Sequence, residues 1–176
     1  MALIPKFHVV AAQADVDPAS LDIKMGMCVA LNGAVGVRRV TTGDQKRVYG
    51  IAGDTFSTTA SAMPGIADGW QNRVSDGFDE TKASGKMTVY HSGGEFATDQ
   101  FVDTNMTSAY VGYYLKADES TGKMAIDGDT KTANSIAILT RAAGTYPSGV
   151  PGVDLNGDMA LGGDNDNQYI EFKLLA

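Results

Sequence analysis

Short bursts of alternating apolar and polar residues, separated by Gly, Asn, Asp, Ser and Thr, dominate this chain. Period-two patterning is the mark of strands with two unlike faces. The bursts are KFHVVAA (6–12), IKMGMCVAL (23–31), VGVRRV (35–40), RVYGIAG (47–53), KMTVYHS (86–92) and EFATD (95–99). AYVGYYLKA (109–117), KMAID (123–127), SIAILTRAA (135–143) and QYIEFKLL (168–175) complete the series. Asn32-Gly33 lies between two bursts, and both residues tolerate positive φ at low steric cost, which predicts a hairpin. Thr41-Thr42-Gly43-Asp44 supplies the next turn, so the first third reads as a three-strand meander. Asp118 to Gly122 (DESTG) supplies another. The expected fold is all-β, a small β-barrel or sandwich.

Two stretches depart from the alternation. Residues 56–84 carry Pro64, Gly65, Gly69, Gly77 and Trp70, and read as a long irregular excursion. Met63, Ile66, Trp70, Val74 and Phe78 make it a poor loop in water, so burial against its own core or another chain is expected. The start, MALIPKFHVV, reads as an extended N-terminal arm, since Pro5 favours extended backbone before it. Such an arm suits a neighbour's sheet edge. The expected organisation is therefore an arm over 1–20 and a single β-rich domain over 21–176. Pro5 and Phe7 of the arm join the five excursion residues as the expected partner-contact set.

Composition narrows the possibilities further. A length of 176 residues allows a core that needs no metal or disulfide. The net charge of −7 opposes nucleic acid, and Arg38-Arg39 with Lys46-Arg47 read as solvated edge features. No run is apolar and long enough to predict a membrane span, and the start does not read as a signal peptide. The one cysteine, Cys28, sits among apolar residues and is expected to be a small core hydrophobe and not a nucleophile, while a disulfide between subunits is conceivable but has no positive support.

Candidate chemistry is sparse. The run 154–168 (DLNGDMALGGDNDNQ) alternates Asp154, Asn156 and Asp158, but its glycine and its last carboxylate stand at the wrong positions for a calcium loop. Asx side chains bonding their own turns are the expected role there and at Asp127-Gly128-Asp129. Neither a nucleophile elbow, a phosphate loop nor a zinc motif is present, and His8 and His91 are a thin supply of base. Asp76, Asp79, Glu80 and Glu95 offer carboxylate pairs, but any acidic protein does. The expectation is a protein that is no enzyme and holds no cofactor or metal. Trp70, Tyr110, Tyr113, Tyr114 and Tyr146 allow a carbohydrate-binding module as an alternative. Alternation in AYVGYYL instead predicts a strand buried on both faces.

The stretch 23–55 resembles the front of the β-barrel decoration, or capsid cement, proteins of tailed bacteriophage heads. The residues that carry it are Gly26, Val29, Leu31, Gly36, Val40 and Gly50-Ile51-Ala52. GYYLKADESTGKM (112–124) and QYIEFKLL (168–175) are similar to a later hairpin and the closing strand of those proteins. The resemblance implies a virion structural protein on the outer head surface, made in the host cytoplasm. Its partners would be the major capsid protein and copies of itself, often as a trimer. A phage tail-tube subunit is the alternative within that class, with 56–84 as the loop that meets the next ring. Outside the class stands a carbohydrate- or cation-dependent binding module.

Overall fold

A computed structural model describes residues 3–5, 10–33, 35–57, 85–102, 106–145 and 168–175. Eleven strands lie within them: β1 (Leu3–Pro5), β2 (Val10–Asp15), β3 (Cys28–Leu31), β4 (Val37–Arg39), β5 (Val48–Ala52), β6 (Lys86–Ser92), β7 (Glu95–Thr98), β8 (Tyr114–Ala117), β9 (Met124–Gly128), β10 (Ala137–Thr145) and β11 (Gln168–Leu174). Every alternating burst yields a strand. The described helical structure is confined to 3-10 turns at Gln45–Arg47 and Ser108–Tyr110.

The strands form two antiparallel sheets, one ordered β1-β7-β11-β10-β8-β9 and the other β2-β6-β5-β3-β4. They pack as a sandwich and do not close into a barrel. Cys28, Ala30 and Ile51 of the five-stranded sheet meet Phe96, Leu115, Met124, Leu139, Ile170 and Phe172 of the six-stranded sheet in the main core. Phe96 and Phe172 are register partners on β7 and β11, and their rings stack with centroids 5.7 Å apart. Fully burying a side chain of this kind stabilises the fold by about 1.5–3 kcal/mol, so this layer dominates the energetics.

A second core covers the other face of the five-stranded sheet. Val29, Val37, Ala52, Met87 and Val89 pack there against Val16, Ile23, Met27 and Phe56. Ile23 and Phe56 exchange both backbone hydrogen bonds at 2.8 Å, which clamps the cover in place. That is why Cys28, Val29 and Ala30 are consecutive and all buried: β3 is covered on both sides.

Two local expectations need correcting. The first third is not a simple meander: β3 lies between β4 and β5, so the 41–47 connection crosses over the end of β3. AYVGYYLKA is only half a strand. Gly112 takes φ of 93°, Val111 is exposed, and extended pairing begins at Tyr114. Of the leading segment, Leu3–Pro5 is extended and pairs with β7, and β2 pairs with β6.

Sheet edges are partly used up inside the chain. Beyond β2, Val16 bridges Val37 in parallel, and Asp17 N–H donates to the Val37 carbonyl at 2.9 Å. On the other sheet Phe101 bridges Met124 beside β9. Both contacts cap edges that would otherwise offer open ladders.

Candidate functional site

Two of the four large apolar side chains exposed among the described residues belong to the β3–β4 hairpin. Leu31 is 43% and Val35 52% exposed, at the two ends of a short turn. Asn32 N–H donates to the Gly36 carbonyl at 2.8 Å, and Val35 N–H to the Asn32 carbonyl at 3.1 Å. Gly33 and Gly36 take positive φ of 56° and 130°. The Asn-Gly signal therefore marks the hairpin correctly, though its loop spans 32–36 and not two residues.

This tip is braced from behind. The Asn32 side-chain amide donates to Asp17 at 2.6 Å, and the other Asp17 carboxylate oxygen accepts from Ala19 N–H at 2.9 Å. Those bonds, Ala19 first and Asn32 second, hold the Asp17 carboxyl below the usual range. A Cβ on Gly36 would stand 2.1 Å from the Asp15 carbonyl oxygen, so the tip packs tightly on the end of β2. Leu31 and Val35 thus flank residues that are anchored on the end of β2 and on Asp17. Leu21 and Val111 are the other large exposed apolar residues among those described.

Alternation alone misplaces Leu31. Two positions after buried Val29 it belongs on the covered face, but it is the last residue of its strand, where cover has ended. The Asn-Gly turn that follows at once was the available signal. Val35 lies in the loop of that same turn.

Of the expected contact residues, only Pro5 is among the described residues. Pro5 lies in β1. Phe7, Met63, Ile66, Trp70, Val74 and Phe78 fall outside the described residues, as do the excursion beyond Ser57 up to Ser84, His8, Tyr146 and the Asx-rich loop 154–167.

The described chemical candidates are engaged in structure. Cys28 is fully buried with its Sγ 3.7 Å from the Met124 Sδ, and burial, helped by the Asp118 charge, pushes its thiol far above the ordinary range. Asp127 Oδ2 accepts from Thr132 Oγ1 and Ser135 Oγ, each at 2.6 Å, while Lys116 stands 3.6 Å from Oδ1. Burial opposes its ionisation, but these bonds outweigh it and lower the pKa. Asp118 holds the DESTG turn in the same way, accepting from Ser120 Oγ and from both Thr121 N–H and Oγ1. Burial again opposes and the hydroxyl and amide bonds prevail. Among the described residues no group of three or more His, Cys, Asp or Glu is placed to hold a metal ion.

The basic pairs split. Arg38 donates to buried Asp44 at 3.0 Å and is not a free edge charge, whereas Lys46 and Arg47 are exposed. Asp54 accepts from Thr88 N–H at 2.7 Å and Gly53 N–H donates to the Thr88 carbonyl at 2.8 Å, so both fasten the end of β5 to β6. Tyr110 and Tyr113 pack edge to face, with centroids 5.1 Å apart, and Tyr110 rests against the main core. No helix among the described residues is long and apolar enough to cross a membrane. No protein-family profile, curated protein or solved structure matches the chain.

Proposed function

We propose that this chain is a non-enzymatic structural subunit of a tailed-phage virion, which decorates and stabilises the head by binding the major capsid protein and copies of itself. The observation that carries the reading is the braced β3–β4 hairpin. It lies within the stretch that resembles decoration proteins, and it presents Leu31 and Val35 to solvent beside the Asn32–Asp17 brace. Apolar side chains held outward on a fixed frame lose little conformational freedom when a partner covers them. Asp118 and Asp127 give secondary support, since each accepts hydrogen bonds from the hydroxyls of its own turn. An acidic body also keeps free subunits apart before docking.

The test is occupancy on undecorated heads of the phage that encodes the chain. Wild-type protein is expected to co-sediment with the heads and to appear on their outer surface by imaging. The double variant Leu31→Asp, Val35→Asp is expected to bind at least about tenfold more weakly, equivalent to about 1.4 kcal/mol, while keeping its melting temperature. Full occupancy by the variant removes the hairpin from the interface. Stacked rings of purified protein in place of head binding identify a tail-tube subunit instead.

A further inference from the structure

Asn32 occupies a reactive junction of the β3–β4 hairpin. The residue after it is Gly33, whose missing side chain leaves its backbone nitrogen open to approach. Gly33 is exposed, and a Cβ built on it would meet nothing within 4 Å. Its N–H donates to no group among the described residues, whereas the Asn32 N–H and carbonyl both bond across the loop. A free backbone nitrogen therefore stands next in the chain to a side-chain amide carbon, in a turn that solvent reaches.

The chemistry open to that pair is intramolecular and needs only water. The Gly33 nitrogen gives up its proton and bonds to Asn32 Cγ. The Cγ–Nδ2 bond breaks, and Nδ2 leaves as ammonia with that proton, which closes a succinimide ring. Water then adds to either ring carbonyl and opens it to an aspartyl or an isoaspartyl residue. No oxidation or reduction occurs.

The leaving nitrogen is the one that braces the tip. Nδ2 donates to Asp17 at 2.6 Å, and Asp17 is itself fixed by Ala19 N–H at 2.9 Å. Loss of Nδ2 removes this donor, and the aspartyl product sets a second carboxylate against Asp17, where like charges repel. Arg38, whose charge acts on Asp17, already donates to Asp44 at 3.0 Å and is not free to bridge the two. The isoaspartyl product lengthens the main chain inside the loop that the Asn32–Gly36 bond closes.

We propose that Asn32 is a self-modification site, and that its conversion to a carboxylate removes the donor to Asp17 and releases the β3–β4 tip. The proposal does not depend on the virion reading. The full chain is incubated at neutral pH in buffer and in guanidinium chloride, and peptide mapping separates the Asn, aspartyl and isoaspartyl forms at position 32. Conversion in the folded chain is expected within about tenfold of the unfolded rate, because one hydrogen bond to Asp17 must open first. Slower conversion than that overturns the modification site. The consequence is read directly on Asn32→Asp, whose urea midpoint at neutral pH is expected to fall below that of the wild type. The exchanged pair Asp17→Asn, Asn32→Asp again sets one amide donor against one carboxylate, and is expected to recover at least about half of the loss. An unchanged midpoint for Asn32→Asp overturns the release. A loss in the exchanged pair as large as in Asn32→Asp overturns Asp17 as its cause.

Discussion

Arg38 on β4 donates to Asp44 at 3.0 Å across the turn that carries the chain over β3. The side chain of Asp44 is 3% exposed and that of Arg38 is 32% exposed, so the pair lies at the boundary between core and solvent. Asp44 also accepts from the Thr41 amide at 3.1 Å and the Thr41 hydroxyl at 2.8 Å. One carboxylate therefore satisfies a turn and fixes an edge strand together.

Replacing Asp44 by Ala is expected to destabilise the fold by about 2 kcal/mol, since it strands the Thr41 amide and half-buried Arg38. The Asp44→Asn variant, which keeps one acceptor, should lose about 1 kcal/mol. Urea unfolding measures both. A loss below about 0.5 kcal/mol for the alanine variant would show that the pair is only a surface contact.

Acid should unfold the chain through the same class of groups. Asp17, Asp44, Asp118 and Asp127 all have carboxyls held below their ordinary value in the folded state. The folded chain therefore binds protons at these sites less readily than the unfolded chain. Their contribution is complete above the ordinary aspartate pKa of about 3.9 and is lost as pH falls through the lowered folded values. Urea midpoints should be insensitive to these four groups between about pH 5 and 7 and fall below about pH 4. Asp127→Asn should flatten that acid limb. An unchanged slope would refute the assignment for Asp127.

Two glycines of one hairpin should respond unlike each other. Gly33 has positive φ and open space around its missing Cβ, so Gly33→Ala should cost about 1 kcal/mol of backbone strain. At Gly36 a Cβ would meet the Asp15 carbonyl, a backbone atom that has no rotamer by which to yield. Gly36→Ala should cost about 3 kcal/mol or more. Thermal unfolding of the two variants settles the order. Equal losses would mean the β2 end is free to move away.

Cys28 should be inert to thiol reagents in the folded protein. Its burial keeps the thiol protonated, and labelling requires opening of the core between the sheets. The labelling rate should rise with urea in step with unfolding. Rapid modification of the native chain would contradict the packing of β3.

Alternation by itself determined the fold class and the strand list, from Val10–Asp15 to the closing Gln168–Leu174, because a pleated backbone sends successive side chains to opposite faces. Asn32-Gly33 and DESTG were legible as turns for a reason just as local, since those residues meet the φ or hydrogen bonds that a turn demands. Strand order was not legible. Nothing in residues 41–47 announces that β5 lies beyond β3, because neighbours in a sheet are chosen by which surfaces bury best. The same holds for the second core, where Ile23 and Phe56 become partners across 33 positions. Leu31 likewise took its role from long-range packing: exposure belongs to the assembled surface, and a one-dimensional pattern does not carry it.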